Sequence, residues 1–166
     1  MVDPVATIGL EDGDLARTPG IHRPYERDTP KHVVPVDALR VVLDDDSEHT
    51  CVAHVVVGDL RRQRHSVAIM NAAFIGTRNI APRAHPGDGK VDVVQLNLEL
   101  ADRLRAWQRM VTGTHVPHPG IVIRQRAEGA VELERPQRVH VDGRFVGRAR
   151  NVRFYVIPAA ILIAVS

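Results

Sequence analysis

The chain is short of cysteine, lysine, aromatic rings and long apolar runs. A single cysteine, Cys51, leaves no partner for an intramolecular disulfide and too few thiolates for a cysteine-based zinc cage. Aromatic residues make up 4% of the chain, too few to stack successive bases of a single-stranded nucleic acid. No helix-turn-helix or zinc-finger spacing accompanies them, so nucleic acid is not an expected partner. The longest apolar run, Phe154 to Val165, covers twelve residues and is interrupted by Pro158. A membrane-spanning helix needs roughly 20, so no transmembrane segment is expected. The acidic start MVDPVATIGLEDGD lacks the basic n-region of a secretory signal. These absences make a cytoplasmic address the expectation, peripheral to a membrane at most.

What is present suits one globular domain. At 166 residues the chain can bury roughly 70% of its unfolded surface. Hydrophobic residues at 44% and charged residues at 25% match ordinary globular composition. The formal charge is +2, yet of 22 basic residues only Lys31 and Lys90 are lysine. Arg61, Arg62 and Arg64 form one cluster between apolar runs. Arg135, Arg138, Arg144, Arg148, Arg150 and Arg153 crowd the last segments. Arginine's planar fork suits phosphates and anionic headgroups, although a cluster on alternating positions also reads as a solvated face.

Residues 1–35 hold five of the eleven prolines, which argues against regular structure there apart from a helical turn at Asp14–Thr18. Residues 36–166 read as one mainly β domain. Leu39–Leu43 and Cys51–Val57 flank a polar turn, and His65–Asn71 and Val91–Leu98 flank a long loop. Ile121–Arg126 and Ala130–Glu134 follow. Arg138–Val141 and Arg144–Val146 enclose Asp142-Gly143, a strong hairpin signal. Asn151–Ile157 alternates as a half-buried strand, and Ile161–Val165 closes the chain. One helix is expected over Glu99–Val111, with Leu100, Leu104, Trp107 and Val111 forming a single apolar stripe. Asn97 is placed to cap its start and Gly113 its end. Many short strands and one helix predict a two-sheet β-sandwich with a short amphipathic helix.

The long loop, Asn71 to Val94, is rich in glycine and proline, and a loop of this length inside a compact domain is usually functional or disordered. Asn71, Gly76, Ala81-Pro82, Ala84, Asp88-Gly89 and Asp92 fall in a register that resembles the C-terminal domain signature of diacylglycerol and sphingosine-type lipid kinases. TGTHVPHPGI, Thr112 to Ile121, resembles a G-x-H-x-x-H-P-G-V segment of the same family. Val139 to Arg144 and Val156 to Ile161 resemble its V-x-V-D-G-E and V-x-P-x-A-L spellings. The match runs from about Asp14 to Ser166 and is strong over 65–166. Taken by themselves, His115 and His118 lack the third protein ligand that zinc needs, and a structural turn is the better reading.

The resemblance implies the fold of the NAD kinase-like superfamily and a Mg²⁺ site formed by Asp88 with the backbone carbonyls of His85 and Lys90. A hard cation bound by oxygens suits that set. It also implies a general-base glutamate immediately after Asp142-Gly143, and this chain has Arg144 there. A guanidinium remains protonated and cannot serve as that base. LEDGDLARTPG, Leu10 to Gly20, resembles the end of the kinases' nucleotide-binding domain, with Asp14, Ala16, Arg17 and Gly20 retained. No G-G-D-G-T loop or other phosphate cradle occurs, so no ATP site is visible.

The expectation is therefore a lipid-kinase relative without an ATP domain. It would bind a lipid, an anionic headgroup or a partner through Arg61, Arg62, Arg64, Arg144 and Arg148, with no catalytic residue assigned. The alternative is one subunit of a split ATP-dependent lipid kinase, completed by a partner chain. A structural homo-oligomer built through exposed sandwich edges is the third class.

Overall fold

The computed structural model describes residues 7–9, 13–18 and 32–165. Along the chain the elements are β1 (Thr7–Gly9), α1 (Asp14–Arg17), β2 (His32–Leu43), β3 (Glu48–Cys51), β4 (His54–Val57), β5 (His65–Met70), β6 (Phe74–Ile75), β7 (Arg78–Asn79), β8 (Val91–Asn97), α2 (Leu100–Arg109), β9 (Ile121–Arg126), β10 (Glu128–Val141) and β11 (Arg144–Val165). Within the N-terminal 35 residues, a helical turn does form at α1. The strand at β1 and the early start of β2 were not expected.

One hydrogen-bonded path runs β3-β2-β11-β10-β4-β5-β8-β9, with β1 added parallel to the end of β11. The path bends into two layers because β10 changes partners along its length. Glu128–Glu132 pairs only with β11, whereas Val139–Val141 pairs with both β11 and β4. The register shift between Glu132 and Gln137 marks the bend, as bulges do where a sheet turns. Leu39, Val41, Val55, Ile69, Val93, Val139, Val152 and Phe154 meet between the layers in one core. The expected mainly β sandwich with a short helix is thus the observed fold.

The run Val67-Ala68-Ile69-Met70 is apolar at every position because β5 is buried on both faces. Val67 and Ile69 face the inter-layer core, while Ala68 and Met70 join Val94, Leu96, Ile80 and Met110 in a second core beneath α2. A third, smaller cluster joins Leu15 of α1 to Val36, Ala72 and Ile163. The residues read as two final strands form one strand, β11, broken by an irregularity between Ile157 and Ile161 where Ala159 has φ 51°.

Two expectations about α2 are corrected. Its N-cap is Glu99, without a side-chain cap, because the Asn97 side-chain oxygen accepts a hydrogen bond from Arg64 Nε at 3.1 Å. Its core-facing residues are Ala106 and Met110, whereas Leu100, Leu104 and Val111 are 62%, 47% and 52% exposed. Beneath the helix stand Val94, Leu96 and Ile80, which leave room for the short Ala106 side chain and the pliable Met110. Leu100, Leu104 and Val111 point away from them, whereas the half-buried Trp107 of the expected stripe does pack against this core.

Candidate functional site

The Asp142-Gly143 turn between β10 and β11 has positive φ at both residues, 46° and 78°, the geometry that Asp-Gly hairpins favour. The Asp142 carboxylate is wrapped by the bend between β3 and β4. It accepts the backbone N–H groups of Val52, Ala53 and His54 at 2.9, 2.8 and 3.0 Å, and the Cys51 thiol at 3.4 Å. Asp142 is therefore committed to the scaffold. Burial and the nearby Asp142 carboxylate push the Cys51 thiol far up, so it stays an inert proton donor. His140 packs against Phe145, with ring centroids 5.6 Å apart.

Arg144 leaves this turn into solvent. Its side chain makes no hydrogen bond or ion pair among the described residues, and it lines an open cleft of about 650 Å³ with Glu48, His49, Thr50 and Phe145. The other expected arginines do not converge on it. Arg61 and Arg62 extend the far end of β4, where Asp59 Oδ1 accepts both their backbone N–H groups at 2.9 Å. Arg64 is held by Glu99 at 2.7 Å. Arg148 lies opposite Arg138 in the register and donates to the Pro136 carbonyl at 3.5 Å.

Behind the turn lies an arrangement that sequence reading missed. His54 is 3% exposed, and its Nδ1 stands 3.3 Å from Asp14 Oδ2. Burial lowers the His54 pKa, against the pull of the Asp14 and Asp142 carboxylates. Asp14 also accepts the Gly76 N–H at 2.6 Å, and Arg17 donates to the Gly76 carbonyl at 2.6 Å. Thr18 Oγ1 accepts the Ala73 N–H at 2.8 Å. The short α1 is thus fastened to the first half of the Asn71–Val94 loop. The signal for His54 was one polar residue inside the apolar run from Val52 to Val57.

That loop is fastened at its other points too. Asn71, fully buried, donates through Nδ2 to the Asp37 and Val52 carbonyls at 2.8 and 2.7 Å. Asp37, 2% exposed, accepts the Gly89 N–H at 2.7 Å and the Ala159 N–H at 2.8 Å. One buried carboxylate thereby holds both the Asp-Gly turn of the loop and the irregularity after Pro158. Asp37 was also missed, although it is the lone acid in Val33 to Leu43.

Asp88 itself is exposed, and its Oδ1 accepts the Lys90 N–H at 3.0 Å. The His85 ring accepts the Gly87 N–H at 3.2 Å, which turns its Nδ1 into the loop. Among the described residues no group of three or more His, Cys, Asp or Glu side chains could hold a metal ion. His115 and His118 are used separately: His115 Nε2 donates to the Ile80 carbonyl at 3.1 Å, and His118 Nδ1 accepts the Gly120 N–H at 3.0 Å. Asp92, 3% exposed, lies at a cleft of about 990 Å³ lined also by Arg83, His118, Ile121 and Gln125. Burial, then the Asp88 charge, push its carboxyl up.

The fold is thus a β sheet folded over on itself, with a fastened Gly/Pro loop and an Asp-Gly turn. Residues 34–165 match the YegS C-terminal NAD kinase beta sandwich-like domain family, and the chain belongs to it. No curated protein matches the chain. Its fold is similar to that of a diacylglycerol kinase from Bacillus anthracis str. Sterne, at TM-score 0.72 and 13% identity over 99% of this chain and 69% of that one. Two further structures, of a protein from that organism assigned as a diacylglycerol kinase, give TM-scores of 0.70 and 0.72. Their identities are 12% and 11%, over 96% and 99% of this chain and 70% and 71% of theirs. The lipid-kinase resemblance of the sequence is thereby borne out at the level of family and fold.

Proposed function

We propose that this domain binds an anionic lipid headgroup without transferring phosphate to it. The observation that carries the reading is Arg144: an exposed guanidinium with no partner among the described residues, at the position where the resemblance calls for a base. A phosphate offers the bidentate acceptor that such a fork lacks. Arg61 and Arg62 are exposed at the other end of β4 and form a separate, weaker contact region; Arg64, already paired, contributes least. Calorimetric titration with a short-chain, soluble phosphatidic acid tests the reading. Arg144→Ala is expected to weaken binding about tenfold, as loss of one charge-assisted pair would. Unchanged affinity in Arg144→Ala would remove Arg144 from the site.

Mg²⁺ belongs to the same proposal. Asp88 Oδ2 and the carbonyls of His85 and Lys90 are the oxygens that would hold it, and the ion would neutralise Asp88 beside Asp92. Asp88 is exposed and only its Oδ1 is engaged among the described residues, which leaves a carboxylate oxygen available. Millimolar Mg²⁺ should raise the melting temperature of the wild type and leave Asp88→Asn unmoved. A rise in both would place the ion elsewhere.

The second reading, a subunit of a split ATP-dependent lipid kinase, draws on the Asp14–His54 pair. A carboxylate beside an imidazole is a general-base arrangement, and it stands next to the turn that has lost the family's glutamate. A copurifying partner that restores lipid phosphorylation sensitive to His54→Gln would favour it over the first.

A further inference from the structure

The cleft beside β8 and β9 is the feature that the headgroup site leaves unexplained. Asp92 of β8 lines it, 3% exposed, and its Oδ2 has no hydrogen-bond partner among the described residues. Gln125, directly across in the register, hydrogen-bonds the same carboxyl and lines the cleft with it. A buried acceptor left unpaired is costly, and folded proteins leave few of them. Arg83, exposed in the lining, attracts the Asp92 charge, yet the two form no ion pair. Val116, Ile121 and Ile123 supply apolar wall, and prolines stiffen the rest of it. At about 990 Å³ the cleft falls within the ~300–1,000 Å³ of small-molecule sites.

We infer that this cleft binds an apolar α-amino acid, with its ammonium on Asp92, its carboxylate on Arg83 and its side chain along Ile121 and Ile123. The two charged groups select a zwitterion. An unpaired carboxylate oxygen needs a donor, and an ammonium supplies one in its charge-assisted form. The Arg83 fork acts on Asp92 without bonding to it, and a ligand carboxylate matches that fork. A plain cation would meet Arg83 as a like charge. A plain anion would meet Asp92 and the nearby Asp88. A molecule carrying both charges satisfies both poles at once, and the apolar wall then chooses its side chain. No residue of this lining belongs to the Arg144 cleft, so the two readings stand apart.

Proton–nitrogen correlation spectra of the labelled full chain, titrated with L-leucine at neutral pH, test the inference. EDTA is present, so that an ion at Asp88 plays no part. L-leucine is expected to shift the Gln125 side-chain amide and the backbone amides of Ile123 and Gly113, and the shifts should saturate. Isoamylamine and isocaproic acid each keep one of the two charges. Each should bind about tenfold more weakly, as loss of one charge-assisted pair implies. Asp92→Asn and Arg83→Ala should weaken L-leucine to a similar degree, and Arg83→Ala should lose the preference for L-leucine over isoamylamine. Arg83 is exposed, so its variant keeps the fold even if Asp92→Asn does not. Arg144→Ala should lose soluble headgroup and keep the L-leucine shifts, so the two readings fail separately. No saturable shift at millimolar L-leucine, equal binding of isoamylamine, or shifts centred away from β8 and β9 would overturn the inference.

Discussion

The Asn71–Val94 loop and the exposed side chains of α2 and Arg144, on separate faces, invert the expected relation between motif and chemistry. Around the loop and the Asp142-Gly143 turn, Asn71 and Asp142 of the family spelling are consumed by backbone. Asn71 satisfies two carbonyls, and Asp142 holds three N–H groups from the bend after β3. Asp37, outside the spelling, completes the set by receiving Gly89 and Ala159. Buried backbone must be paired somewhere, and an irregular loop cannot pair with itself as a strand does. The spelling is thus largely a recipe for satisfying a loop. The surface presents the opposite case, with Arg144, Arg109, Leu100 and Leu104 unpartnered and exposed. A ligand can be selected only by what the fold leaves free, not by what it has used.

The sharpest way to break this comparison is Asp37→Ala. It removes the buried acceptor of two N–H groups, those of Gly89 and Ala159. At about 1.5–3 kcal/mol per hydrogen bond to a charged group, the expected loss is about 3–6 kcal/mol. Urea denaturation measures it, and Asp37→Asn should recover part through its remaining carbonyl oxygen. A loss below about 1 kcal/mol would mean that the loop is held chiefly by other contacts.

The sandwich was legible because alternation, the Asp142-Gly143 turn and the loop spelling are local signals. Burial of β5 on two faces was visible in its unbroken apolar run. The stripe of α2 was also visible, but not its direction. A helix with apolar residues on two sides can turn either toward a core, and the shape of the bed decides. Here the bed accepts Ala106 and Met110, which single-residue hydrophobicity ranks below leucine. Asp37 and His54 were missed for a related reason. A lone polar residue in a strand reveals nothing of its partner, and those partners, Gly89, Ala159 and Asp14, lie 40 or more residues away by sequence, as the 52- and 122-residue separations of the Asp37 bonds show.

A medium-sized effect comes from pH. Burial holds the His54 pKa below its ordinary 6.5, and His115 is lowered likewise. Below 6.5 the unfolded chain binds protons that the folded chain refuses, so stability falls as pH falls through that window. Each such histidine contributes a slope of at most about 1.4 kcal/mol per pH unit. Asp92 acts in the opposite sense at lower pH, because its raised pKa lets the folded state hold a proton above 3.8. Melting temperatures between about pH 7 and about pH 5 should decline for the wild type and decline less steeply for His54→Gln. Equal slopes would show that Asp14 compensates the burial of His54 completely.

The smallest effect is expected where the family motif departs most. Arg144→Glu reinstates the residue that the resemblance calls for, yet nothing in the turn depends on position 144. Gly143 supplies one positive φ and Asp142 the other, and the bend is tied to the Asp142 carboxylate. Because Arg144 is exposed and unpaired among the described residues, its replacement should change unfolding free energy by no more than about 0.5 kcal/mol. The same variant should reverse the charge of its cleft, where Glu48 already stands, and so repel a phosphate that the arginine attracts. Stability and binding would then separate at one residue. A change above about 1 kcal/mol in stability would instead put Arg144 with Asp142 among the groups that the fold has used.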